Sequence, residues 1–278
     1  MLDSLDIRFL LRQHSLRPKK ELGQNFLVDD IYLLRIIEAA EVSEDDEVLE
    51  IGAGVGSLTR YLCLHAGRVT AVELDADLIP ILSDVLESYD NLKIVEGDIM
   101  QLKPEYLVIA PGYKIVANIP YYLTSNLIRR LLEADLKPTR LALTVQKEVA
   151  ERICAEAGEM SLLSLSVQVY GDAHIALEIP AGAFFPIPDV DSALLVVELL
   201  PEPRISPDNL DAFFQLSKSA FAQKRKMLHN SLAAAPGIDK DGAQLLLDEA
   251  GIDGRRRPQT LALAEWETLS RLYSPLRP

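Results

Sequence analysis

The chain has 278 residues, 49% of them hydrophobic and 25% charged, an ordinary globular composition for one large α/β domain with a smaller companion. Two distant cysteines, four scattered histidines and no apolar run near the roughly 20 residues of a membrane helix exclude a disulfide framework, a structural zinc site and a spanning segment. Lys and Arg number 28 against 42 Asp and Glu, a net charge of −14, so any nucleic-acid partner must be met by local basic patches rather than by the global field. The acid-bearing start Met1–Asp6 does not read as a secretory or transit segment, and a cytoplasmic protein is expected.

The first two thirds alternate short β-branched runs with amphipathic stretches, the pattern of βαβ units. Glu47–Ile51 reads as a first strand, Gly56–His65 as the helix after it and Val69–Glu73 as a second strand. A helix runs on from Asp75, with Leu78, Ile79, Leu82, Val85 and Leu86 on its apolar face. Strands follow at Leu92–Val95, Lys114–Ala117 and Leu141–Val145, and helices near Ser125–Leu132 and Lys147–Ala155. Leu163–Tyr170 and Ala193–Leu199 read as an antiparallel hairpin at the sheet edge. Three prolines within Pro201–Pro207 mark a linker. Beyond it Asp208–Phe221, Met227–Ala234, Lys240–Ala250 and Leu261–Leu272 are helical. The expectation is an α/β domain over 1–200, mostly parallel with an antiparallel edge strand, and a small all-α domain over 201–278.

Gly52, Gly54 and Gly56 sit where the first strand meets its helix, the place for a tight turn that a ligand can approach closely. Glu73 ends the second strand, where a carboxylate can take both hydroxyls of a ribose, and Asp98 closes the third, suited to an adenine amino group. A bare strand–glycine–helix turn is the plainer reading of the glycines alone; acids closing two further strands favour a nucleoside cofactor. Glu50, two residues before Gly52, would repel the pyrophosphate of a nicotinamide cofactor but suits an ammonium and a sulfonium. That points to S-adenosylmethionine.

Asn118-Ile119-Pro120-Tyr121 follows the fourth strand on the same rim. An adenine exocyclic amine is a poor nucleophile because its lone pair is delocalised into the ring. The Asn118 side-chain oxygen and the Ile119 carbonyl, set in direction by Pro120, can both accept its hydrogens and stabilise the charge growing on nitrogen. Tyr121 offers a ring against which an extruded base can stack. The alternative is a strand-end turn in which Asn118 caps the next helix. In Ala183–Ala193, two prolines stiffen an extended loop and Phe184 offers a second ring; core packing is the alternative for Phe184 and Phe185 taken singly.

Together these residues resemble the RsmA/KsgA family of ribosomal RNA adenine dimethyltransferases, from Lys19 to about Trp266. Lys19-Lys20-Glu21-Leu22-Gly23-Gln24-Asn25-Phe26-Leu27 is similar to that family's N-terminal signature, and Gln146–Ala150, Phe184–Ala193 and Ala220–Lys226 match as well. Glu159–Ser164 departs from the family's Tyr-Gly-Arg-Leu-Ser-like turn. The resemblance implies a Rossmann-like class I methyltransferase sheet, with a cofactor set of Gln24, Asn25, Leu27, Glu50, Gly52, Gly54, Glu73, Leu74, Asp98, Ile99 and Asn118. Asn25 and Leu27 would contact its methionine part, and Lys19–Leu27 would cover it. The catalytic set is Asn118, Ile119, Pro120, Tyr121 and Phe184.

The stretches between Glu105 and Glu133 and between Asp211 and Asp239 hold no acid. The first surrounds Asn118–Tyr121 and the second carries Lys218 and Lys224–Lys226, as a phosphate-tracking face would require. Lys19, Lys20, Arg129, Arg130, Lys147, Lys224, Arg225 and Lys226 are the candidate RNA contacts. The resemblance implies dimethylation of two adjacent adenosines near the 3′ end of small-subunit ribosomal RNA, by a monomer without metal or membrane partner. A large-subunit enzyme of the macrolide-resistance type and a non-catalytic assembly or transcription factor are the alternatives. A dehydrogenase would leave Asn118–Tyr121 without a task.

Overall fold

The computed structural model describes residues 2, 4–223 and 225–273. Asp6 accepts from the Phe9 amide at 2.9 Å and so caps α1 (Ile7–Gln13), a short helix the sequence pattern does not announce. A 3₁₀ turn at Lys20–Leu22 leads to β1 (Phe26–Leu27), and Asp29 caps α2 (Asp30–Ala39). The expected alternation then follows: β2 (Glu47–Ile51), α3 (Ser57–His65), β3 (Arg68–Glu73), α4 (Ile79–Leu86), β4 (Leu92–Glu96), β5 (Lys114–Asn118), α5 (Thr124–Leu132) and β6 (Arg140–Gln146). After these come α6 (Lys147–Ile153), α7 (Leu162–Gln168), β7 (Gly171–Ile179), β8 (Phe184–Phe185) and β9 (Ser192–Leu199).

The large sheet has the order β4-β3-β2-β5-β6-β9-β7, parallel from β4 through β6, with β9 antiparallel to β6. Chain order reverses between β2 and β5, so a crevice opens there beyond the carboxyl ends of the strands. Val48, Leu49, Ile115 and Val116 are fully buried, as central parallel strands covered on both faces must be. A second, two-stranded sheet pairs β1 with β8, Leu27 opposite Phe184 and Phe26 opposite Phe185.

The late segments differ from expectation. Leu163–Tyr170 is not a strand: Ser161 Oγ accepts from Ser164 N at 3.1 Å and Ser164 Oγ from Ser161 N at 2.7 Å, a reciprocal cap that starts α7. The outermost strand is instead β7, in which exposed Asp172, His174, Ala176 and Glu178 alternate with buried or half-buried residues.

The chain forms two compact units. One takes the chain up to Ala150 and Ala173–Leu199; the other takes Glu151–Asp172 and the chain from Leu200. Where a single division at residue 200 was expected, the helical unit thus also includes 151–172. Its other helices are α8 (Pro207–Phe221), α9 (Leu228–Leu232), α10 (Lys240–Glu249) and α11 (Leu263–Tyr273). Phe221 and Trp266 bring ring centroids to 5.9 Å within it. The Pro201–Pro207 stretch is stitched to α7 by Arg204, whose amide donates to the Val169 carbonyl at 2.8 Å. Its guanidinium bonds the Gln168 and Gly171 carbonyls and the Asp172 carboxylate.

Among the described residues, no helix is long and apolar enough to cross a membrane, and no group of three or more His, Cys, Asp or Glu is placed to hold a metal ion. Arg204→Ala is expected to cost about 1–3 kcal/mol, since it strips partners from helix-end carbonyls. A lower denaturant midpoint at unchanged slope checks this.

Candidate active site

The turn after β2 depends on glycine. Gly52, Gly54 and Gly56 have φ of +76°, +61° and +87°, left-handed backbone that side chains disfavour. The Gly52 and Ala53 amides both donate to the Val72 carbonyl, at 2.8 and 3.2 Å, which ties the turn to β3. A Cβ on Gly54 would lie 2.9 Å from the Phe26 ring, so Phe26 seats directly on the turn.

Glu73 ends β3. Its Oε2 accepts from the Gly54 amide at 2.7 Å and its Oε1 from the Asp75 amide at 2.8 Å. Burial raises the pKa of this carboxyl and the two amide hydrogen bonds oppose that rise. Asp98, just past β4, accepts from the Met100 amide at 2.8 Å and from Gln101 Nε2 at 3.1 Å, which fixes its carboxylate at the strand end. These acids, the glycine turn, Leu22–Phe26 and Asn118–Leu123 line one open cleft of about 760 Å³, its solvent-filled mouth included.

Asn118 is the last residue of β5. Its Nδ2 donates to the Asn25 carbonyl at 2.8 Å, while its Oδ1 has no protein donor among the described residues. The Asn118 carbonyl lies 3.6 Å from where a Cβ on Gly52 would stand, so the tetrapeptide and the glycine turn share a rim. Ile119 is buried, and Pro120 leads into a 3₁₀ turn over Tyr121–Leu123. The Tyr121 hydroxyl sits 2.7 Å from Ser192 Oγ, and burial pushes its pKa up.

The segment before β1 lies across this cleft as a strap. Lys19 Nζ meets Asp75 Oδ1 at 2.6 Å and Asp77 Oδ2 at 2.7 Å, and these hydrogen bonds raise its pKa. Gln24 Nε2 donates to Asp75 Oδ2 at 2.7 Å. Burial alone would raise the Asp75 carboxyl, but Lys19 and Gln24 outweigh it and hold it below its ordinary value.

Of the expected cofactor residues, Gln24, Asn25, Gly52, Gly54, Glu73, Leu74, Asp98, Ile99 and Asn118 line the cleft; of the reacting set, Asn118, Ile119, Pro120 and Tyr121 do. Three do not. Leu27 is 3% exposed in the core beneath β1. Phe184, its cross-strand partner, is 2% exposed in the same core and presents no ring. Glu50 is 1% exposed and lies outside the cleft lining, because alternation along β2 sends its carboxylate to the other side from Ile51. Leu22, Gly23, Phe26, Ile51, Val72, Leu78, Gly97, Tyr122 and Leu123 complete the lining. Phe26 and Leu22 lie inside the quoted signature, but no spacing rule marks them as lining.

The candidate RNA contacts divide in the same way. Lys19 is neutralised by two carboxylates, Lys147 Nζ pairs with Glu178 at 2.8 Å, and Arg129 pairs with Glu133 one helical turn on at 2.8 Å. Arg130 donates to the Leu102 carbonyl. Lys20, Arg225 and Lys226 are exposed, and Lys224 lies outside the described residues.

The cleft fits a nucleoside-bearing cofactor on its own geometry: two anchored carboxylates end adjacent strands, and the glycine turn lines the same cleft beside them. The family model for ribosomal RNA adenine dimethylase matches residues 15–273. A protein of Dehalococcoides mccartyi (strain ATCC BAA-2266 / KCTC 15142 / 195), named ribosomal RNA small subunit methyltransferase A, is 41% identical over 267 residues, 95% of this chain and 91% of its own length. A protein of the same name from Staphylococcus aureus (strain Newman) is 39% identical over 288 residues, covering 97% and 96%. Among solved structures, a dimethyladenosine transferase from Plasmodium falciparum matches with TM-score 0.76 at 25% identity, over 89% of this chain and 97% of that one. The 23S rRNA methyltransferase ErmE matches with TM-score 0.72 at 26% identity, over 89% and 98%.

Glu50 Oε2 has no partner among the described residues. Burial pushes its pKa from 4.5 up to about 8, with nearby Thr59 opposing the rise and the Glu73 charge adding to it. The fold therefore holds the proton more tightly than the unfolded chain, and stability falls as pH rises between those two values. Glu50→Gln escapes that loss. Its advantage over wild type should grow across denaturation series at about pH 5, 7 and 9; a shrinking advantage would contradict the assignment.

Proposed function

The chain belongs to the ribosomal RNA adenine dimethylase family, and from that premise we propose that it dimethylates the N6 amine of two adjacent adenosines near the 3′ end of small-subunit ribosomal RNA. Relatives at 39–41% identity carry the small-subunit name, whereas the 23S enzyme shares 26%, which favours the small subunit. The cofactor is S-adenosylmethionine, which supplies an electrophilic methyl group on a sulfonium. Glu73 would hold its ribose hydroxyls and Asp98 its adenine amino group, with the strap at Gln24 and Asn25 over its methionine part.

The observation that carries the mechanism is the Asn118 carboxamide. Its NH₂ is engaged by the Asn25 carbonyl, and its Oδ1 is left without a protein donor, among the described residues, on the cleft rim. That oxygen and the Ile119 carbonyl accept the two hydrogens of the target amine, pull the nitrogen toward tetrahedral geometry and stabilise its growing charge. Tyr121, locked by Ser192, supplies the face on which the extruded base stacks. The methylated nitrogen is acidic enough to release its proton without a strong base. Orientation does the rest. Phe184 and Glu50, both buried away from the cleft, take no part.

Docking of the rRNA is assigned to Lys20 and to the acid-free stretch of the helical unit with Lys224–Lys226. The protein acts as a cytoplasmic monomer during subunit assembly, without a resident metal.

With labelled cofactor and unmethylated small subunits, wild type should label adenine in small-subunit rRNA alone. Asn118→Ala should lose turnover by roughly a hundredfold or more while cofactor affinity by calorimetry stays near wild type; turnover equal to wild type would remove the catalytic role. Arg225→Ala with Lys226→Ala should weaken rRNA binding and lower the salt slope by about 1 for each phosphate no longer neutralised. An unchanged slope would take both off the docking surface.

A further inference from the structure

The strap is tied down at two places, and one of them bears on the reacting amide. At the near end, Asp75 is 5% exposed and takes Lys19 on one oxygen and Gln24 on the other, at 2.6 and 2.7 Å. Gln24 Oε1 in turn accepts from the Lys19 amide at 2.8 Å, so the three residues close a ring of hydrogen bonds, two of them charge-assisted. Asp75 is itself placed by its amide on Glu73 Oε1 at 2.8 Å. At the far end, the Asn25 carbonyl takes Asn118 Nδ2 at 2.8 Å. A carboxamide offers a donor edge and an acceptor edge. Turned by half a rotation, Asn118 would meet the substrate amine donor to donor.

We propose that Asp75 is a positioning residue for methyl transfer: by fixing Lys19 and Gln24 it sets the strap, and the Asn25 carbonyl of the strap sets which atom of the Asn118 amide meets the substrate. This rests on the reading of Asn118 given above. The strap's other contacts are local: Asn25 Nδ2 donates to the Gly23 carbonyl at 3.2 Å, and a Cβ on Gly23 would lie 3.3 Å from Pro120 and Tyr122. Between Lys19 and Asn25 its internal backbone bonds run from Leu22 and Gln24 to the Lys19 carbonyl and from Gly23 to the Lys20 carbonyl, and Gly23 is left-handed at φ +62°. Lys19 therefore spends its charge on Asp75 and Asp77 and is withdrawn from rRNA.

Asp75 also accepts from the Asp77 amide at 3.2 Å, so a variant there could loosen that turn for structural reasons. Lys19 lies outside the turn and supplies the second variant. Asp75→Asn keeps an oxygen for the Asp77 amide but turns a donor toward the strap in place of the other. In the full chain, Asp75→Asn and Lys19→Ala are each expected to lower kcat roughly tenfold to a hundredfold, with KM for the small subunit unchanged. The double variant should cost no more than the worse single, and Lys19→Arg should restore most of the rate. In cofactor-free protein, amide hydrogens of residues 22–28 should exchange faster in both single variants. A kcat within twofold of wild type, losses that multiply in the double variant, or unchanged exchange over 22–28 would each overturn the proposal. If wild type transfers no methyl to small subunits, the functional reading falls by itself, and the exchange measurement still decides whether Asp75 anchors the strap.

Discussion

One buried carboxylate organises the cleft. Glu73 reaches back to the Gly54 amide and forward to the Asp75 amide, so a single side chain joins the turn after β2 to the start of the segment after β3. Both bonds are made by backbone donors that a parallel sheet leaves unsatisfied where its strands end. The carboxylate thus stabilises the turn geometry and is ready for ribose hydroxyls, because each oxygen keeps acceptor capacity after one bond. Burial makes this costly in isolation, and the amides are what hold the charge in place.

A strongly acidic chain that acts on RNA has to keep some of its cations clear of its own acids. Here the division is made by long-range pairing. Lys114 is tied to Asp46, Lys147 to Glu178, Arg256 to Glu265 and Lys19 to two aspartates. Those pairs knit elements together and leave less positive field on the surface than the sequence suggests. Of the candidate phosphate-binding cations, Arg129 is exposed but sits beside Glu133, while Lys20, Arg225 and Lys226 are exposed. Phosphate binding depends on local density of charge rather than on the total.

Much of the sheet was legible because central parallel strands are buried on both faces and read as short, mainly apolar runs, as in Glu47–Ile51 and Leu141–Val145. The glycines, Glu73, Asp98 and Asn118 were legible because strand ends at a switch point are where such residues have work to do. The edge was not. Residues 171–179 do alternate, with Asp172, His174, Ala176 and Glu178 outward, but alanines on both faces weaken the pattern, and α7 begins with a serine pair in place of the usual acidic partner. Phe184 misled because a two-residue strand gives no pattern, and its direction follows from pairing with Leu27, 157 residues earlier in the chain. Lys19 read as free because its partners come 56 and 58 residues later. Glu50 read as a ligand because its register on β2 depends on which face its neighbours bury.

The chain enters the helical unit at Glu151, leaves it at Asp172 and returns only after Leu199. Leu165 and Val167 of α7 are wholly buried, and α7 packs against α8, which is made later. Part of the cover over α7 is therefore made after it in the chain. A single cut at Leu199 would strand α7 apart from the helices it packs against, because the smaller unit is shared between two stretches of message.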